Sequence, residues 1–238
     1  MSARIEIKGV ARKFGSNEVL RGVDLSVSAG ELLGIVGPNG GGKSTLLMLM
    51  AGLLRPTSGT ITVCGIAAER LALESAGKVG LVLAKPGLYP LLTGWENLIY
   101  FGGLYGLSDA DVRKGAAESL QRFDLMEHMD KRTSGWSTGM QQKLSLVRAL
   151  LLKPEVLLFD EPAANLDPVA ADMMYQELRS RAEAGLACVL VTHDLHAAQR
   201  YCDRVVFVQV QIQREVKPQA QATPEDAQLL SVWKEVVA

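Results

Sequence analysis

The chain has 238 residues, 48% of them hydrophobic and 21% charged, with a formal net charge of -1. That length buries a real core in one large domain or two small ones, and the composition is ordinary for a globular protein. The charge balance offers no basic field for nucleic acid. Cys64, Cys188 and Cys202 are odd in number and widely spaced, so they form neither a disulfide framework nor a zinc pattern. They are expected to be reduced, buried thiols of a cytosolic protein.

The N-terminal "MSARIEIKGVARKFG" has no long apolar stretch, so no secretory signal is expected, and no apolar run approaches the ~20 residues of a membrane span. "RIEIKGV" alternates as a strand, and "LRGVDLSVSAG" reads as a second short strand ending in a turn. "ELLGIVG" is a continuous apolar run that enters a glycine-rich loop, and "STLLMLMAGLL" is an apolar helix. "SGTITVCG" is a β-branched strand between glycines. From about Thr93 to Leu152 the period becomes helical, in "WENLIYFGGLYGL", "DADVRKGAAESLQRFDL" and "QQKLSLVRALL". Buried strands return in "VLLFDEP" and "ACVLVTHD", with the helix "VAADMMYQELRSRAEAG" between them. The alternation of "VFVQVQIQREV" predicts one strand with Val208, Val210 and Ile212 on one face. "KPQAQATPED" reads as a linker before a last short helix, "AQLLSVWKEVV". Strands alternating with helices imply an α/β fold with a mainly parallel sheet.

Gly37-Pro38-Asn39-Gly40-Gly41-Gly42-Lys43-Ser44 fits G-x-x-x-x-G-K-[ST], after a strand and before a helix. Glycines let the backbone wrap a phosphate with its N–H groups inward, and the helix N-terminus adds to the field. Lys43 is expected on the β- and γ-phosphates, with Ser44 on Mg²⁺ and Thr45 completing the nucleotide site. Downstream, Asp160 ends a buried strand and suits the Mg²⁺ shell. Glu161 beside it is expected to orient or deprotonate a water, and His193, ending another strand, faces the same crevice. Without the phosphate loop, Asp160 and Glu161 would read as solvated acids at a strand end. "WSTGMQQ" is a second small polar turn opening a helix, which one nucleotide does not need.

"WSTGMQQKLSLVRALLLKPEVLLFDEPAANLDP" resembles the core of the ATP-binding cassette (ABC) transporter ATPases. The resemblance runs from about Ile5 to Val208 and rests on an ordered set: phosphate loop, signature turn, Asp-Glu, Leu-Asp and His. It implies a P-loop NTPase core with an antiparallel β portion, formed by residues 1–85 and 154–215. It also implies a helical subdomain over 86–153 that carries the signature, and a C-terminal linker and helix over 216–238. It implies a head-to-tail dimer, homo- or heteromeric, in which ATP lies between the phosphate loop of one subunit and the signature of the other. Ser137, Thr138, Gly139 and Gln141 would then serve the partner's nucleotide, from a helix opened by Met140 and Gln141. A plain helix cap by Ser137 or Thr138 is compatible with that role. Asn165-Leu166-Asp167 matches the loop that crosses the interface. Phe14 matches the aromatic that stacks on adenine, its alternative being an ordinary core phenylalanine.

The resemblance further implies a separate membrane permease driven from the cytoplasmic face, and "PGLYPLLTGWENLIYFGGLYGL" is similar to the exporter-like branch. Three positions depart from the family. Thr138 replaces the first signature glycine, "VQVQIQREV" lacks a turn glycine, and Ala84 stands where a glutamine is usual. Ala84 keeps open a weakly hydrolysing or regulatory subunit. A soluble ABC protein of DNA repair or translation would carry paired cassettes or a long insert. A P-loop kinase would need no signature turn, and a GTPase would show a guanine-reading motif that "THDL" is not.

Overall fold

The computed structural model describes residues 3–75, 77–164, 166–218 and 228–237. Two long strands, β1 (Ala3–Phe14) and β2 (Asn17–Ser28), form a hairpin. Then come β3 (Leu32–Val36), α1 (Lys43–Met50), β4 (Ser58–Val63), the short β5 (Ile66–Ala67), the one-turn α2 (Leu71–Glu74) and β6 (Val79–Val82). Three helices follow, α3 (Gly94–Gly103), α4 (Asp109–Arg122) and α5 (Thr138–Leu150). The chain continues through β7 (Val156–Asp160), α6 (Pro168–Glu183), β8 (Ala187–Val191) and α7 (Leu195–Tyr201). It closes with β9 (Arg204–Gln209), β10 (Gln211–Val216) and α8 (Gln228–Val237). Residues 219–226 of the expected linker, and Ala227 at the start of the expected last helix, lie outside the described ones.

The strands sort into an antiparallel sheet, β2-β1-β4-β5, and a six-stranded sheet, β10-β9-β3-β8-β7-β6. All pairs of the second sheet are parallel except β10 with β9. Strands β3 and β8 are buried along their whole length, as a parallel sheet covered on both faces requires. Alternate residues feed two cores. Leu32, Val36, Leu157 and Phe159 pack with the helical face. Leu33, Ile35, Val156 and Leu158 pack with α1 and the antiparallel sheet.

Helix starts follow local chemistry. Thr93 and Glu96 form a reciprocal capping box on α3, Ser108 caps α4, and Asp167 caps α6 with Pro168 at its first position. Helix α5 begins at Thr138 with Ser137 as its cap, two residues earlier than "MQQ" predicts. The cap wins because the Ser137 hydroxyl accepts the Met140 N–H at 3.2 Å.

The expected single strand at the C-terminal end is instead a hairpin. Strand β9 stops at Gln209, β10 starts at Gln211, and Val210 between them has φ +65°. Alternation registered the two flanking strands but not the turn, because no glycine marks it. The conformation of Val210 is imposed by neighbours distant in sequence.

Candidate nucleotide site

The loop after β3 emerges at the carboxyl end of the parallel sheet, where β3 lies between β9 and β8. The ends of β7 and β8 deliver Asp160, Glu161 and His193 to the same edge. The glycines are needed for space as well as for turning. A Cβ on Gly37 would drive into the Val208 carbonyl oxygen, and one on Gly41 would lie 2.8 Å from it. Gly42 sits at φ +99°, where a Cβ would come within 2.7 Å of Leu20 and 2.8 Å of the Val19 carbonyl. Asn39 and Gly40, at the tip, are exposed. The backbone is thus walled from outside by β2 and β9 while its tip faces solvent.

Lys43 is 6% exposed, and its Nζ donates to the Gly37 and Pro38 carbonyls at 2.9 and 3.0 Å. Burial lowers the ammonium pKa, and the charges of Glu161 and Asp160 oppose that shift. A desolvated cation clipped to its own loop is pre-placed for an anion.

Ser44 Oγ donates to Asp160 Oδ1 at 3.0 Å, across 116 residues of sequence. Burial raises the Asp160 pKa, the Ser44 hydrogen bond lowers it, Glu161 raises it and Lys43 lowers it. Among the described residues no cluster of three or more His, Cys, Asp or Glu could cage a metal. One hydroxyl and one carboxylate fit Mg²⁺ instead, which binds hard oxygens and keeps waters and substrate phosphates in its shell.

Glu161 stands at φ +50°, unusual for a residue with a Cβ, and its N–H donates to the Val191 carbonyl at 2.9 Å. The strained turn directs its Oε2 to His193 Nδ1 at 2.5 Å. Such strain persists only where the surroundings over-determine it, and it concentrates at reactive sites.

Phe14 is 45% exposed at the end of the β1–β2 hairpin, which removes the core-phenylalanine alternative. The Arg12 guanidinium covers its ring at 4.3 Å. Among the described residues no hydrogen bond or ion pair joins the turn 136–142 to the phosphate loop. Gly139 lies beside Leu166 and Ala170, and Asp167 accepts the N–H groups of Val169 and Ala170. Asn165 lies outside the described residues. The Gln141 amide points behind the turn, donating to the Thr133 and Trp136 carbonyls at 3.0 and 3.3 Å.

Sequence reasoning missed two residues on α5. Gln142, 1% exposed, donates to the Leu83 carbonyl at 2.8 Å. Arg148 donates to the Pro86 and Gly87 carbonyls, both at 2.8 Å, and stacks on Phe101 at 4.5 Å. Together they fasten the segment around Ala84 to the helix that Ser137 opens. The available signal was a run of polar residues, Gln142, Ser145 and Arg148, at helical spacing amid apolar ones.

Residues 20–164 match the family described as ABC transporter. The chain belongs to the ABC transporter family. Within it, the chain is the ATP-binding cassette, the subunit that hydrolyses ATP. This cassette is 37% identical to the Nod factor export ATP-binding protein I of Burkholderia lata over 208 residues, 87% of this chain and 68% of that protein. Among solved structures, an ATP-binding subunit of an ABC transporter superposes with TM-score 0.86 at 28% identity, over 98% of this chain and 99% of that one. The cassette MJ0796, as a dimer in a post-hydrolysis state with ADP and phosphate, superposes with TM-score 0.80 at 29% identity, over 92% and 100%. Among the described residues of this cassette, no helix is long and apolar enough to cross a membrane.

Proposed function

We propose that the cassette binds ATP between two subunits arranged head to tail and hydrolyses it with Glu161 as the base. The observation that carries this is the convergence of Lys43, Ser44, Asp160 and the Glu161–His193 pair at one sheet edge. Backbone amides of residues 40–45 and the Lys43 ammonium hold the phosphates. Glu161 accepts the proton of the attacking water, and His193 holds its carboxylate in place while contacting the γ-phosphate. Ser44 and Asp160 would hold Mg²⁺, which supplies positive charge against the phosphate oxygens. Phe14, backed by Arg12, offers its free face to adenine.

The separate signature turn supports a trans arrangement, and the ADP-and-phosphate dimer of MJ0796 supports it independently. Ser137, Thr138 and Gly139 then meet the partner's γ-phosphate from the N-terminus of α5. Mixing two inactive variants tests this. Ser137→Arg spoils only the signature and Lys43→Ala only the phosphate loop. Mixed dimers retain one intact composite site, so an equal mixture should recover about a quarter of parental ATPase activity if subunits exchange freely. Two folded variants that exchange subunits yet recover nothing would exclude shared sites in a homodimer.

A membrane permease is the proposed partner, engaged from the cytoplasmic side. A groove of about 360 Å³ between the core and the helices is lined by Leu53, Leu81, Phe101, Tyr105 and Leu152, with Arg148 at its wall. Tyr89, Leu91, Tyr100 and Leu104 lie exposed nearby in sequence. An apolar surface of this kind suits a docked helix.

Phe14→Ala should raise the ATP dissociation constant about 5- to 150-fold, since base stacking contributes about 1–3 kcal/mol. It should also narrow the preference for ATP over GTP while sparing the rate at saturation. An unchanged titration for both nucleotides would remove Phe14 from the site.

A further inference from the structure

Five described non-glycine residues have positive φ, and Val210 is the one β-branched residue among them. A β-branched side chain at φ +65° is a genuine outlier, so something must hold it there. The holding contacts are backbone hydrogen bonds to two other parts of the chain. The Val210 N–H donates to the Gly41 carbonyl at 3.0 Å, and its carbonyl accepts the Arg21 N–H at 2.7 Å. Two residues earlier, the Val208 carbonyl lies so close to Gly37 and Gly41 that neither tolerates a Cβ. The β9–β10 turn is therefore seated on the outer wall of the phosphate loop and tied to β2.

The consequence for the loop follows from the planarity of the peptide bond. The C=O and N–H of one trans peptide point in opposite directions. The Gly41 carbonyl is directed outward to Val210, so the N–H of Gly42 is directed inward, toward the concave side of the loop. An inward row of N–H groups is what makes such a loop bind anions.

We propose that Val210 is a positioning residue of the ATPase: its turn holds the Gly41–Gly42 peptide in the phosphate-binding orientation, and the strain of a left-handed valine leaves that orientation only partly populated before nucleotide arrives. The proposal rests on residues 37–45 being the phosphate site. It makes the turn and the loop one coupled unit, so relieving strain in the turn should tighten the loop's hold on phosphate.

Val210→Gly is the test. Glycine adopts positive φ at no steric cost and keeps both backbone hydrogen bonds. The expected result is a raised melting temperature and dissociation constants for ATP and ADP, titrated in EDTA, about 3- to 10-fold lower than the parent's. In turnover the change should fall in KM, with kcat within about twofold. Val210→Pro removes the N–H and forbids the angle, so it should weaken nucleotide binding at least about tenfold where it folds. A Val210→Gly protein that melts higher but binds nucleotide as the parent does would make the turn purely structural and overturn the proposal. Weaker binding in Val210→Gly, or a lower melting temperature, would overturn it as well. If the parent binds neither nucleotide, the phosphate-site assignment itself fails and this proposal with it. Unchanged affinity against a binding parent defeats the Val210 proposal alone.

Discussion

Replacing Glu161 with glutamine is expected to slow ATP turnover about 10²- to 10⁴-fold, the usual contribution of a positioned general base. The variant preserves the shape of the side chain and the turn at φ +50°, since the backbone bond from Glu161 N–H to Val191 is untouched. What it removes is the ability to take a proton. It also replaces one carboxylate oxygen with an NH₂ group, which disturbs the 2.5 Å contact with His193 Nδ1. ATP affinity should stay close to the parent's, because in the proposed arrangement the loop and Lys43, not Glu161, hold the phosphates. With binding intact and hydrolysis blocked, ATP should accumulate a dimer visible by size exclusion, and ADP should not. Phosphate release at the parental rate would show that another group activates the water.

Lys43→Ala should produce the largest loss of affinity. The ammonium is desolvated and clipped to two loop carbonyls, so its field reaches the anion with little screening by water. Truncating one partner of a buried, hydrogen-bonded charge pair costs about 2–5 kcal/mol, which corresponds to a dissociation constant raised about 30- to 4,000-fold. The same substitution strips the Gly37 and Pro38 carbonyls of their donor, so a loss of about 1–3 kcal/mol in stability is expected as well. The two effects separate experimentally. Thermal unfolding without nucleotide reports the carbonyls, and the shift on adding ATP reports the phosphates. Parental affinity in a folded Lys43→Ala protein would refute the placement of phosphates on this loop.

The groups nearest the proposed chemistry were readable because each is announced by a local change of pattern. A buried apolar run meets glycines and a lysine at Lys43, a buried run ends on acids at Asp160 and Glu161, and another ends on His193. Strand ends and helix starts are short-range events, governed by burial and by caps such as Ser137 and Asp167. The α/β class and the block of helices from Thr93 onward follow from periodicity in the same way.

What the sequence alone determined was thus the kind of element at each position and the inventory of reactive groups. The tertiary structure decided which of them meet and in what conformation. It joined Ser44 to Asp160 across 116 residues, and it exposed Phe14, which a sequence could equally have buried. It also set Gln142 and Arg148 against carbonyls flanking Ala84, where helical periodicity places them without naming a partner. It turned the chain at Val210, where alternation predicts a continuous strand. The physical reason is common to these cases. Backbone propensity and hydrophobic period act over a few residues, whereas a left-handed valine or a half-buried guanidinium is stable only when distant groups complete its hydrogen bonds. Those groups are brought together by the strand order of the sheet, β10-β9-β3-β8-β7-β6, which has no counterpart in the order of residues along the chain.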